Sequence, residues 1–234
     1  KLFDKVKITL DKYNDNDAIS RDVMVADFKL FLSCFLQTED YEERNELKEK
    51  LANCQAFAIK DRNGKSIRVK PGSFYIHNPI LDRYLKGNKS SNFNFFDEKY
   101  YESVYKGYVA SVINDFLQFL GAKKFPGIKK REVSYNDLTT TQKTAVSKTC
   151  YTSWKEAYDF DLPGLGFAAK NGNIDMEISK LLWNTICNYG VHNIKFTFRY
   201  FYRTDKFTTA DSALIDKLKE LPWLCNKDGK IVKL

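Results

Sequence analysis

Two stretches of the chain carry the same pattern of apolar and polar positions. In ELKEKLANCQAFAIKDRNGKSIRVKPGSFY (46–75), Leu47 and Leu51 stand four residues apart, as one face of a short helix requires. Leu214 and Leu218 repeat that spacing in ALIDKLKELPWLCNKDGKIVKL (213–234). A short apolar stretch follows in each, AFAI or PWLC, then Lys-Asp, a glycine at 64 or 229, and an alternating tail. Asn63-Gly64 and Asp228-Gly229 are hairpin-turn dipeptides, because glycine adopts positive φ freely and Asn or Asp tolerates it. Each stretch therefore predicts helix, strand, turn, strand.

A second helical pattern precedes each of these. In SRDVMVADFKLFLSCFLQ, the residues Val23, Phe28, Phe31, Leu32, Phe35 and Leu36 recur at intervals of three and four and form a wide stripe. DMEISKLLWNTICNYG places Ile178, Leu181, Leu182, Thr185 and Ile186 likewise, with Asp175 and Glu177 at the positive end of the helix. The second copy adds IKFTFRYFYRT, an aromatic alternating run typical of a strand. Copies about 165 residues apart predict tandem units of a longer array. On this reading the chain, which opens on Lys1 and stops inside a motif, is expected to be a piece of a longer protein.

Between the copies, residues 100–120 predict a long helix with Tyr101, Val104, Tyr105, Tyr108, Val112, Ile113, Phe116, Leu117 and Leu120 on one side and Gly121 as its stop. The polar stretch 132–173 is expected to be a mobile connection holding one candidate helix over 143–158. The expected class is α+β, helix-rich with small antiparallel hairpins: two related helix-plus-hairpin units around a central helix. The expected divisions are 1–96, 97–174 and 175–234.

Composition changes this picture little. Of 234 residues, 43% are hydrophobic and 29% charged, which excludes wholesale disorder. The 15% aromatic share is high, carried by 18 Phe and 14 Tyr. No apolar run approaches the ~20 residues of a membrane-spanning helix, and residues 1–17 lack the apolar segment of a signal peptide. Cys34, Cys54, Cys150, Cys187 and Cys225 are odd in number and scattered, so reduced thiols in the cytoplasm are expected rather than a disulfide framework or a zinc site.

Candidate chemistry is sparse. His77 and His192 each adjoin Asn in expected loops, and the surface-histidine reading outweighs metal binding or general-base catalysis. Gly164 and Gly166 lack the third glycine of a dinucleotide loop and the Gly-Lys-Ser/Thr of a phosphate loop, so they read as a turn before the helix at Asp175. Glu46-Leu47-Lys48 resembles the end of a nuclease-type acid/lysine motif, but the exposed-helix-face reading outweighs it. No catalytic, cofactor or metal residue is selected.

A net charge of +8 admits a polyanion partner. The densest basic cluster holds Lys123, Lys124, Lys129, Lys130 and Arg131, which reads either as a solvated loop or as a phosphate-contacting patch. In KFTFRYFYRTDKF, Phe196, Phe198, Tyr200 and Tyr202 would share one strand face and Arg199 and Arg203 the other. Such a face could stack bases while cations meet phosphates. The competing expectation buries it against the helix bearing Trp183.

The segments NELKEKLANCQAFAIKDRNGKSIRVKPGSFY, NPILDRYLKGN with the later FFDEKYY, FLQFLGAKKFPGI, FDLPGLGFAAKNGNIDMEISKLLWNTI and LKELPWLCNKDGKIVKL, in this order, resemble the region downstream of the ATPase module in large sacsin-like proteins with a histidine-kinase-like (GHKL-type) ATP-binding domain. The resemblance spans most of the chain, although each motif is short and structural. The family's ATP-binding residues, a helical Asn and a later Asp-x-Gly-x-Gly, have no match here, so no nucleotide-binding residue carries over. The resemblance implies a non-catalytic scaffold or interaction region of a large cytoplasmic ATPase, chaperone-like or defence-related, with no cofactor of its own. Its implied partners are the parent's other domains, an ATP-binding module first among them, and other proteins. A basic nucleic-acid-binding module is the alternative, and no membrane partner is expected.

Overall fold

In the computed structural model, residues 2–13, 18–60, 64–86, 94–149, 154–202 and 204–234 are described. The elements run α1 (Leu2–Asp11), α2 (Arg21–Gln37), α3 (Tyr41–Ala52), β1 (Phe57–Lys60), β2 (Ser66–Val69), α4 (Pro79–Lys86), α5 (Glu102–Tyr105) and α6 (Ala110–Phe119). They continue β3 (Lys129–Glu132), α7 (Thr140–Thr149), β4 (Trp154–Asp161), α8 (Leu165–Lys170), α9 (Met176–Tyr189), β5 (Phe196–Tyr202), β6 (Thr204–Ala210), α10 (Ala213–Glu220), β7 (Leu224–Cys225) and β8 (Ile231–Val232). The class is α+β, with small antiparallel sheets among the helices. Two compact units divide the chain: Lys1–Asn78 with Asn92–Lys124, and Pro79–Ser91 with Phe125–Leu234.

The first unit is built around one phenylalanine. The ring of Phe28, on α2, lies 6.0 Å from Phe57, 5.6 Å from Phe96, 4.7 Å from Tyr101 and 5.7 Å from Phe116. All five are buried, so the centre of this unit is a cluster of aromatic rings. Ser20 caps α2 by accepting from Val23 N–H, and Asp40 caps α3 by accepting from Glu43 N–H.

The long central helix expected over 100–120 is broken. Its apolar side is as predicted, but α5 ends at Tyr105 and α6 starts at Ala110. Gly107 is a poor helix former, and the neighbouring Tyr108 hydroxyl meets Ser33 of α2 at 3.1 Å. A straight helix gives way to two pieces that follow the core. Gly121, at φ 98°, ends α6 as expected.

In the second unit β3, β4, β5 and β6 form an antiparallel sheet in that order. The polar stretch 132–173 is therefore no simple connection, since it supplies β4, an interior strand. The candidate helix over 143–158 is corrected to α7 followed by β4. The reason is a polar residue hidden on the inner face. Asp159 is buried, and its Oδ1 accepts the N–H of Ala213 at the start of α10. That gives β4 a hydrophilic sequence in a buried place.

The predicted duplication is visible in the two hairpins, each considered within its own unit. Leu47, Leu51, Leu214 and Leu218 are all buried. Five residues separate Lys60 from Ser66, and five separate Cys225 from Ile231. Gly64 and Gly229 occupy the fourth place of those loops at φ 75° and 77°, each with open space where a Cβ would sit. The second ladder is shorter, with two paired positions against four.

Candidate functional site

The basic residues fall in different settings. Lys123 and Lys124 follow α6 in the first unit, and the Lys123 ammonium lies 5.5 Å from the Tyr75 ring centre. In the second unit β3 brings Lys129, Lys130 and Arg131 together on an edge strand. Facing partners in the ladder are Lys129 with Asp161, Lys130 with Phe160 and Arg131 with Asp159. Successive residues point to opposite faces, so the three cations are divided between the two sides of the sheet.

These charges also have local partners. Arg131 lies 3.7 Å from the Asp159 carboxylate, Arg199 lies 3.7 Å from Glu156, and Lys130 sits 4.0 Å above the Tyr158 ring. Arg203 lies outside the described residues, as do the side chains of Tyr200 and Tyr202. Phe196 and Phe198 are 0% and 1% exposed, among Val133, Leu138, Val146 and Ala157. That part of the aromatic strand face is core. The expected packing against the Trp183 helix is corrected: Val146 of α7 and the 133–138 segment cover these rings.

Other sequence candidates also settle into structural roles. Glu46 pairs with Lys7 at 2.9 Å and Lys50 at 3.7 Å on a half-exposed face, while Leu47 is core. Gly164, at φ 89°, opens α8, a short helix that stands before the one at Asp175. The His77 and Phe95 rings meet at 71°, centres 5.9 Å apart, and His192 lies in the 3-10 turn Val191–Ile194. Among the described residues no group of three or more His, Cys, Asp or Glu side chains could hold a metal, and no described helix is long and apolar enough to cross a membrane.

An apolar groove lies in the second unit, between α9 and the β7–β8 hairpin. It holds about 550 Å³ and is lined by Met176, Ser179, Lys180, Trp183, Asn184 and the strand residues Leu224 to Asn226. Asp175 caps α9 through Ile178 N–H, and Arg83 of α4 holds Asp175 at 2.8 Å and Glu177 at 2.5 Å. The wall of the groove is thus fixed at its N-terminal end. On the other wall, Cys225 N–H donates to Ser179 Oγ at 2.8 Å. Behind Trp183 lies Trp223, which is 1% exposed and donates its indole N–H to Leu218 C=O at 2.7 Å. Trp183 stacks near-parallel on Trp223, ring centres 6.3 Å apart, and remains 51% exposed, as does Met176.

The sequence pattern of α9 marks one stripe, 178–181–182–185–186, and makes Trp183 a packing partner. Met176 and Trp183 lie seven apart beside that stripe, and a second apolar edge on an already amphipathic helix was the available signal. A smaller opening of about 330 Å³ in the first unit is lined by charged residues including Arg21 and Lys60. Its Arg21 guanidinium is already engaged by the carbonyls of Lys99 and Tyr100.

No family model, curated protein or solved structure matches this chain.

Proposed function

We propose that this chain is a non-catalytic scaffold and interaction region, built from two related helix-plus-hairpin units, whose work is to present binding surfaces to proteins or to other domains. The carrying observation is the groove of the second unit, where a half-exposed tryptophan and methionine flank one lysine. Exposed aromatic and Met side chains around a concave surface are the chemistry of recognition. Assignment to a GHKL-type, sacsin-like parent rests on the resemblance of the quoted segments. Cys34, Cys54, Cys187 and Cys225 are free thiols, which supports a reducing, cytoplasmic setting.

The test is direct. Purified chain, incubated with ATP and Mg²⁺, is expected to release phosphate no faster than buffer. Hydrolysis that survives repurification, and falls with a point mutation in this chain, would remove the non-catalytic reading.

The nucleic-acid alternative is favoured by the net charge of +8. The division of the β3 cations between two faces, their acidic neighbours and the burial of Phe196 and Phe198 weigh against it. Anisotropy titrations of a labelled oligonucleotide at two salt concentrations decide: phosphate-driven binding weakens steeply with salt.

A further inference from the structure

We infer that the groove between α9 and the β7–β8 hairpin is a docking site for a short acidic segment carrying an aromatic side chain, of the type Phe-Phe-Asp-Glu-Lys-Tyr-Tyr. This names a partner chemistry for the interaction reading above and rests on it.

The argument comes from the first unit, where the same kind of hairpin already has its cover. The outward N–H of Ala58 on β1 donates to the Tyr101 hydroxyl at 3.1 Å, and Ala58 C=O accepts from Asp97 N–H at 3.2 Å. Phe96 bridges to Ile59 as a strand neighbour. Phe96 and Tyr101 then stack on each other, rings 4.8 Å apart and 6° from parallel, over Phe28. A segment from Phe95 to Tyr101 thus supplies two things: hydrogen bonds to the strand edge and aromatic cover for the helix.

In the second unit these two requirements are separated. Cys225 stands seven residues after Leu218, as Ala58 stands seven after Leu51. Its N–H is taken by Ser179 of α9, so the helix itself provides the hydroxyl that Tyr101 provides in the first unit. Among the described residues, aromatic cover is what remains unsupplied. Trp183 is stacked on one face by Trp223 and stays half exposed, with Met176 beside it. Burying such a pair is worth more than their polar surroundings, because tryptophan at the centre of a groove is a typical hot spot.

Charge completes the choice of occupant. Among the groove's lining residues Lys180 is the one charged side chain, and it is exposed. An acidic residue next to the aromatic, as Asp97 and Glu98 stand next to Phe96, would meet it.

The probe is a fluorescein-labelled peptide, NFFDEKYY, copied from residues 94–101 and titrated with the whole chain by anisotropy. Saturable binding is expected. Trp183→Ala should weaken it about tenfold or more, Lys180→Glu should weaken it and flatten its salt dependence, and a peptide with its Phe and Tyr changed to Ala should not bind. Lys180 is exposed, so Lys180→Glu keeps the test valid if Trp183→Ala unfolds. No saturation with the parent peptide, or binding indifferent to both substitutions, overturns the proposal. Either result leaves the non-catalytic reading standing, since that reading fails only on hydrolysis.

Discussion

The hydroxyl of Tyr101 accepts the outward N–H of Ala58 at 3.1 Å from a fully buried position, so an interior strand edge depends on one side-chain oxygen. Tyr101→Phe leaves that N–H without its partner. Stranding a buried donor costs about 1–3 kcal/mol, and urea denaturation should read a loss in that range. Ser179→Ala tests the counterpart at Cys225, where the hydroxyl is buried but its N–H partner is only half-buried, and a smaller loss is expected.

Gly64 and Gly229 offer a matched pair of substitutions. Each sits near φ 76° with empty space around the Cβ position, so Ala meets no clash and the penalty is conformational alone. About 1–2 kcal/mol is expected at either site, with Asn costing less than Ala. Thermal melts showing a large cost at one glycine and none at the other would undo the equivalence of the hairpins.

Three tyrosines should make the protein sensitive to alkali. Burial pushes the phenols of Tyr13, Tyr101 and Tyr105 well above their ordinary value of 10.0. For Tyr13 the neighbouring Asp27 charge, which accepts its hydroxyl at 2.9 Å, adds to the effect. The folded state holds these protons more tightly than the unfolded chain, so stability is intact below pH 10 and falls as pH rises above it. A denaturation midpoint constant from pH 10 to pH 12 would contradict this.

Among those three, Tyr105 behaves differently on mutation. Its hydroxyl is buried with no hydrogen-bond partner among the described residues. Tyr105→Phe should therefore be neutral or stabilise by up to about 1 kcal/mol, whereas Tyr13→Phe should destabilise. Paired urea curves settle the sign.

Thiol reactivity should follow burial. The Cys54 thiol is pushed up to about 11 by burial, an effect that Arg68 and Lys70 oppose, and burial raises Cys34 too. Cys187 is exposed. In a Cys150→Ser background, maleimide near neutral pH should label Cys187 first and reach Cys34 and Cys54 only on unfolding. Peptide mapping that finds Cys54 modified early would refute the buried placement.

The legible parts of this fold were those where one periodicity dominates. The leucine pairs, the α2 and α9 stripes and both hairpin glycines follow directly from spacing and turn chemistry. β4 was hidden because Asp159 occupies an inward position, held by Ala213 N–H from a helix that begins 54 residues later, beyond any local pattern. The break at Gly107 was hidden because Tyr105, Tyr108 and Val112 continue the apolar side across it. The groove was missed for a related reason: Trp183 adjoins a strong stripe, and sequence cannot say which edge of such a stripe stays in water.

The two hairpins differ by whole rungs while keeping five residues between their paired strands. Two residues are removed from each strand, an even number, so every surviving side chain keeps its inward or outward sense. Nature's trimming here obeys parity, and an engineer lengthening the shorter arm should add residues in pairs on both sides of Gly229.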